Sequence, residues 1–290
     1  MNLTAATSVG NALIRTYGHG TDLPMTSAAA LSQGWVAKAS CDKNLGILYG
    51  HDNESPSEDH PLGLYYTATG ALAGAQVTIY GSNKEVGNAA PDALVEKGFW
   101  VADAADKQWH MDVSFRGADE MCGDSTSSEL MGDRLVVNQG TLDFSIPLVA
   151  QEARDASYTE GSCFNKMGQH HFYDFKSAPE MSWDSSALMP VVAMYNPPFD
   201  PAGTLNAFFF TTPVSQPGSS LWNLASGKAD WESPALTPTL MCKNWCDEDC
   251  TWESSWATMH LFTQKDYAEL ECPGVSRFDP IGISCSGVSN

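Results

Sequence analysis

The strongest constraint on the fold is that the landmark residues of this chain occur twice in the same order. Each half contains a Gly-Thr pair, a proline, an alanine-containing run and a Ser-Cys pair. The matched positions are Gly20 with Gly140, Cys41 with Cys163, Gly46 with Gly168, Asp52 with Asp174, Gly70 with Gly203, His110 with His260, and Cys122 with Cys272. Two related units in one chain predict a pseudo-twofold axis and favour sites where the units meet.

Residue patterns within the units predict a mainly β fold with a few short helices. Residues 109–115 alternate apolar and polar side chains, and residues 206–212 and 258–263 are rich in strand-forming residues. Each unit begins with a short predicted helix, at 25–36 in the first and at about 146–156 in the second. We therefore expect an internally duplicated protein, with two related β units packed with pseudo-twofold symmetry.

The repeat also sets the expected domain boundaries. Residues 1–19 form an N-terminal lead-in, residues 20–139 the first β unit, and residues 140–290 the second β unit. The second unit is longer, and part of its extra length is a Cys-rich loop at 242–250.

Charge excludes some partners. The chain has 35 acidic and 15 basic residues, which gives a net charge of −20. Nucleic acids and anionic lipids bind cationic surfaces, so neither is an expected partner. No apolar run approaches the roughly 20 residues that a membrane-spanning helix needs. The N-terminal residues lack the features of a signal peptide, and we expect a secreted protein whose leader has been removed.

The eight cysteines divide into a repeated set and an extra set. If each unit closes its own bridge, the repeated set forms Cys41–Cys122 and Cys163–Cys272. The extra set would pair internally and consists of Cys242, Cys246, Cys250 and Cys285. Zinc ligation by the extra set and free thiols are the alternatives, although structural zinc usually uses tighter knuckles in two separated pairs. Disulfides fit an exported protein, and Asn2 and Asn53 begin N-glycosylation tripeptides that make it a candidate glycoprotein.

The densest group of reactive side chains is the run His170, His171, Tyr173 and Asp174. On a strand, His170 and Asp174 share one face, while His171 and Tyr173 share the other. One histidine would act as a general base, with Asp174 orienting it and Tyr173 as an acid; His260 is a further candidate. The alternative is a strand with one buried, hydrogen-bonded histidine.

A divalent metal is the possible cofactor. Two histidines at matching repeat positions could meet at the pseudo-twofold axis, and the candidate ligands are His110, His170 and His260. The chain has no HExxH motif, so no local pattern supports the metal. The competing interpretation is that each of these histidines is structural.

The nine tryptophans support a different function. Trp183, Trp222 and Trp231 lie in the second unit, near polar residues. Exposed indole rings stack on the apolar face of sugars, which predicts a glycan site, whereas β-rich proteins also bury tryptophan in their cores.

Two function classes remain. The first is a secreted, disulfide-stabilised enzyme that acts on a small organic substrate by His/Tyr acid–base or His–metal chemistry, in or beside the second unit. The second is a secreted glycan- or ligand-binding protein without catalysis that uses the Trp-rich loops. The sequence contains no nucleophile elbow, Walker loop or dinucleotide fingerprint, which disfavours serine-based and nucleotide-dependent chemistry.

Overall fold

A computed structural model of the protein describes most of the chain. The described residues are 8–15, 21–51, 61–80, 99–103, 108–124, 131–139, 142–173, 190–198, 200–212, 231–235 and 256–273. In this part the protein is mainly β, with short helices and two antiparallel sheets of eight strands each. The mainly β fold with a few short helices that the sequence predicts is thus confirmed.

Sixteen strands and three short α-helices build the described part. The strands are β1 (Ile14–Arg15), β2 (Thr21–Asp22), β3 (Val36–Ala37), β4 (Ile47–Gly50), β5 (Leu62–Tyr66), β6 (Leu72–Tyr80), β7 (Val101–Asp103), β8 (Gln108–Ser114), β9 (Leu135–Gln139), β10 (Leu142–Ile146), β11 (Tyr158–Phe164), β12 (Gly168–Tyr173), β13 (Val191–Asn196), β14 (Thr204–Thr212), β15 (Glu232–Ala235) and β16 (Trp256–Phe262). The helices are α1 (Ser27–Ser32), α2 (Ala118–Met121) and α3 (Ala150–Asp155), and a 3₁₀ turn covers Tyr267–Glu269.

The strands of the two sheets follow the same spatial sequence. In the first sheet the order is β10-β9-β8-β6-β5-β4-β3, with β7 also paired to β8. In the second sheet the order is β2-β1-β16-β14-β13-β12-β11, with β15 also paired to β16. Each sheet therefore has a two-stranded hairpin at one edge that comes from the other part of the sequence.

One apolar cluster joins the two sheets. Alternate residues of each strand point to the same face, and the faces turned toward each other supply side chains such as Val77, Met111 and Leu261. The rings of Phe115 and Phe208 meet with their centroids 6.1 Å apart. These faces are called the inner faces below, and the opposite ones the outer faces.

Both predicted helices form, in shorter versions. In α1 the Thr26 hydroxyl accepts a hydrogen bond from the backbone N–H of Ala29 at 3.2 Å, which satisfies one donor of the first turn. Gly34 follows the helix with a φ of +87°. Ala30 of α1 and Ala153 of α3 are fully buried in the cluster between the sheets.

The two disulfides predicted from the repeat are confirmed. Cys41 is bonded to Cys122 with a Cα–Cα distance of 5.9 Å. Cys163 is bonded to Cys272 with a Cα–Cα distance of 5.8 Å. The other four cysteines lie outside the described residues, so their predicted pairing stays a prediction.

The N-terminal region differs from the expected lead-in. Residues 8–15 include β1, and they bury Val9 and Leu13 completely or nearly so in the main core cluster. β1 has only two residues, which is too short for a periodic strand signal. Likewise, the β9–β10 hairpin crosses the expected boundary between residues 139 and 140.

Two glycines of the repeat perform the same steric task. Gly46 and Gly168 have φ values of +94° and +103°. A Cβ would lie 2.5 Å from the Tyr66 carbonyl oxygen at the first site and 2.7 Å from the Tyr195 carbonyl oxygen at the second. Only glycine fits both the positive φ and the close backbone approach.

The structure corrects one pair of the sequence repeat, the match of His110 with His260. The carbonyl oxygens of Phe115 and Thr263 occupy matching places, since each accepts a backbone hydrogen bond from the hairpin at the edge of its sheet. His260 precedes Thr263 by three residues, and the residue that precedes Phe115 by three is Asp112. By position within its sheet, His260 therefore matches Asp112 and not His110.

Among the described residues, none of the helices has the length and apolar character that a membrane crossing requires.

Gly168→Ala is expected to destabilise the protein more than Gly34→Ala. Both glycines have a positive φ, which costs an L-residue about 1–2 kcal/mol. Only Gly168 also has a backbone oxygen in the way, whereas a Cβ at Gly34 meets nothing within 4 Å. Urea unfolding of both variants measures the difference, which should exceed about 1 kcal/mol. Equal losses would mean that the approach to Tyr195 is not a constraint.

Candidate functional site

The outer face of the second sheet holds two predicted site residues, His170 and His260. Their exposed fractions are 0% and 3%. Phe209 lies between them, with its ring centroid 5.8 Å from that of His170 and 4.8 Å from that of His260. In the neutral His170 ring, Nδ1 donates a hydrogen bond to the Ser162 carbonyl at 2.9 Å. These histidines are therefore part of an aromatic layer.

Burial sets the protonation state of this pair. The pKa of His170 is lowered to about 4 and that of His260 to about 3, chiefly by loss of solvation, and at His260 also by the charge of His170. Both rings are neutral at pH 7. Because the rings are neutral in the folded and the unfolded state at pH 7, the lowered pKa values cost no stability there, whereas in acid the unfolded state binds protons that the folded state does not, which destabilises the fold.

His171 and Tyr173 lie on the inner side of the second sheet, as the alternation predicts. The His171 ring is fully buried and contacts the Tyr195 ring edge-on, with centroids 4.7 Å apart. Its Nε2 is 3.9 Å from the Glu160 carboxyl, which also forms an ion pair with Arg154. Tyr173 packs partly buried against the main core cluster.

The expected catalytic set is thus divided between two faces of one sheet. His170 and His260 are on the outer face, and His171 and Tyr173 are on the inner side. Asp174 lies outside the described residues. Their roles in catalysis stay a prediction.

The structure separates His110 from the other two candidate metal ligands, His170 and His260. His110 lies on the outer face of the first sheet, which points away from the second sheet. His170 and His260 lie on the outer face of the second sheet. The expected meeting of His110 with His260 is therefore wrong, because both point away from the interface between the sheets. Within the described residues no group of three or more His, Cys, Asp or Glu side chains is placed to hold a metal ion. A metal that uses residues beyond those remains a prediction.

Of the three predicted sugar-stacking tryptophans, one is described. Trp231 is only 3% exposed and belongs to the main core cluster. Its ring therefore has no free face for a sugar. Trp183 and Trp222 lie outside the described residues.

The outer face of the first sheet carries a polar cluster where the second sheet is mainly aromatic. The Asp112 carboxyl oxygen Oδ1 accepts hydrogen bonds from the Tyr65 hydroxyl at 2.8 Å and from the Gln76 amide at 2.9 Å. The same amide donates to the Tyr65 oxygen at 3.0 Å. All three side chains are at least nine-tenths buried. Burial, followed by the charge of Asp112, raises the pKa of Tyr65, so its phenol stays protonated and donates.

His110 connects this polar cluster to solvent. Its Nε2 is 3.6 Å from Oδ2 of Asp112, and its side chain is 31% exposed. It shares the outer face with Asp112 because the two residues are separated by one position on β8. The cluster of Tyr65, Gln76, His110 and Asp112 is called the polar site below.

Sequence reasoning found half of the polar site. The alternation in residues 109–115 places His110 and Asp112 on one face. Gln76 and Tyr65 join them only through strand pairing, because the register sets Gln76 directly opposite Asp112, and β5 adjoins β6. No local motif marks either residue.

Comparisons of the chain with protein-family models, with curated proteins and with solved structures found no match.

The stability of the protein is expected to fall between pH 6.5 and pH 5. An unfolded histidine binds a proton near pH 6.5, while His170 and His260 bind theirs only near pH 4 and pH 3. The unfolded state therefore binds more protons in this range, and each histidine removes up to about 1.4 kcal/mol of stability per pH unit. Urea unfolding at several pH values measures the slope.

His260→Phe is the matched variant, because phenylalanine keeps an aromatic ring in the layer and does not titrate. It should remove the contribution of His260, which is about half of the slope that the two histidines produce together. Gly34→Ala, which removes no titratable group and whose Cβ meets nothing within 4 Å, should leave the slope unchanged. An unchanged slope in His260→Phe would contradict the assignment.

Proposed function

We propose that this protein is an exported enzyme that acts on a small organic substrate by acid–base chemistry at the polar site. His110 exchanges a proton with the substrate, and Asp112 orients and stabilises its ring. Tyr65 and Gln76 hold the carboxyl group in place. This proposal moves the expected acid–base centre from the second sheet to the first.

One observation carries the proposal: a half-exposed imidazole lies beside a buried carboxyl group with two fixed hydrogen-bond donors. A general base must reach its substrate within hydrogen-bond distance. His170, His171 and His260 are at most 3% exposed, so each would need the structure to open first. His110 meets the requirement without such a change.

The chemistry follows from the positions of the ring nitrogens. Nε2 of His110 faces Oδ2 of Asp112, which leaves Nδ1 on the other side of the ring to accept a proton. The 3.6 Å separation exceeds a hydrogen bond, and it should shorten when the ring becomes positively charged. Because Oδ1 is already engaged by Tyr65 and Gln76, Oδ2 is the oxygen that stabilises the imidazolium.

The duplication is the second part of the proposal. We infer that residues of the two sheets derive from one repeated unit, which the shared strand order, the matching glycines and the two disulfides support. Tyr66 and Tyr195 support it further, since their hydroxyls donate to the carbonyls of Pro24 and Pro147 at 2.6 Å and 2.7 Å. A duplicated fold can keep a site in one copy and fill the other with apolar residues. Here, Gln76 and Phe209 are the diverged pair opposite Asp112 and His260.

Export is the third part. Two closed disulfides within the described residues favour an oxidising compartment. The glycosylation tripeptides at Asn2 and Asn53 agree with it. The substrate class extends to glycans, because a carboxyl, an amide and a phenol together suit sugar hydroxyl groups.

His110→Gln should abolish turnover and keep the fold. The probe is a panel of aryl glycosides, aryl esters and aryl amides of small acids, with release of the aryl group as the signal. Loss of a general base typically lowers the rate by about 10²–10⁴-fold. Asp112→Asn should lower it as well, since an amide nitrogen or a neutral oxygen stabilises the imidazolium less. His51→Gln is the control at an exposed histidine of the same half.

Melting temperatures separate catalysis from folding. His110→Gln should melt like the wild type, since His110 is half-exposed. Saturable binding of an oligosaccharide by calorimetry, without turnover and with loss of binding in Gln76→Ala, would favour the non-catalytic alternative. Turnover that survives His110→Gln would remove His110 from the mechanism.

A further inference from the structure

Each sheet is completed by a hairpin from the other half of the chain. The first half is residues 8–124 and the second half is residues 131–273. The β1–β2 hairpin of the first half pairs with β16, where Ile14 lies opposite Phe262. The β9–β10 hairpin of the second half pairs with β8, where Val136 lies opposite Ser114.

The two hairpins begin with similar segments. Residues 9–14 and 131–136 both consist of an apolar residue, a glycine, a small polar residue, a variable residue, a leucine and a β-branched residue. The apolar residues Val9 and Met131 are fully buried. Leu13 and Leu135 belong to the cluster between the sheets.

The glycines of these segments dock in the same way. A Cβ on Gly10 would overlap the carbonyl oxygen of Thr263, and a Cβ on Gly132 would overlap the carbonyl oxygen of Phe115. The backbone N–H of Ala12 donates to Thr263 O at 3.2 Å, and that of Arg134, at the matching position, donates to Phe115 O at 3.2 Å. Thr263 directly follows the last residue of β16, and Phe115 directly follows the last residue of β8.

The two docked segments also touch each other. The backbone N–H of Val9 donates to the carbonyl oxygen of Gly132 at 2.8 Å. The two segments that lead into the hairpins are therefore in contact, and they link both exchange sites.

We propose that the two halves are reciprocal strand donors and acceptors that bind each other without a covalent link. On each half, the acceptor is the edge of β8 or β16 that the hairpin of the other half covers, together with the carbonyl oxygen of the residue after that strand. The partner is an extended segment that has glycine at the point of closest approach and leucine three residues later. Strand addition of this kind gains affinity from main-chain hydrogen bonds and specificity from alternate side-chain pockets.

After cleavage between the two halves, no covalent bond would hold them together. The first half contains only Cys41 and Cys122, which are bonded to each other. No disulfide can therefore cross a cut between Asp124 and Met131. The full chain, with a protease site inserted there, gives two fragments that separate unless non-covalent contacts hold them.

The experiment is size-exclusion chromatography of the full chain after cleavage at that inserted site. The cut protein should elute at the position of the uncut protein in native buffer and as two fragments in urea. Fragments that separate in native buffer would overturn the proposal.

The second measurement tests whether the hairpins hold the halves together. Gly10→Ala and Gly132→Ala, in the cut protein, should each raise the dissociation constant of the fragments by about tenfold or more, because the added Cβ overlaps a backbone oxygen. Gly34→Ala is the control, since a Cβ there meets nothing within 4 Å. Equal dissociation constants for all three variants would show that sheet packing alone joins the halves, which also contradicts the proposal.

Discussion

The apolar layer between the two sheets is the constraint on which the rest of the structure depends. This layer requires apolar side chains on both inner faces, such as Val77, Met111, Phe208 and Leu261. Because strand residues alternate, every residue between them is fixed on an outer face. The faces of the four histidines on the described strands, His110, His170, His171 and His260, follow from this single requirement. It separates His170 from His171 and directs His110 away from His260.

The outer faces are where the two sheets differ. The second sheet covers its outer face with phenylalanine rings, and His260 lies among them with a lowered pKa. The first sheet places Asp112 at the corresponding position and surrounds it with Tyr65, Gln76 and His110. Buried polar groups lower stability unless they are hydrogen-bonded, and the hydrogen bonds among Tyr65, Gln76 and Asp112 meet this condition. This contrast supports the polar site more than any local motif does.

Strand exchange connects the core to the rest of the chain. Since β1–β2 and β9–β10 complete the opposite sheets, neither half has a finished sheet of its own. An unfinished edge exposes unpaired backbone groups, which each hairpin covers for the other half. Gly10 and Gly132 make this possible because they allow the backbones to approach closely. The boundaries expected at residues 19 and 139 do not follow this exchange: β1 and β2 have two residues each, too few for a periodic signal, and the sequence does not show that β9 pairs with β8.

The sequence by itself determined the mainly β class, the two disulfides and the faces of the residues on β8 and β12. These properties follow from local alternation and from residues that repeat in order, such as Cys41 with Cys163 and Gly46 with Gly168. Only the tertiary structure decided which strands are neighbours and in which register. The strand register places Gln76 opposite Asp112. It also gives Asp112, and not His110, the position in the first sheet that His260 has in the second. Such pairings depend on contacts between residues far apart in the chain, and equal spacing to a cysteine cannot reveal them when the intervening loops differ in length.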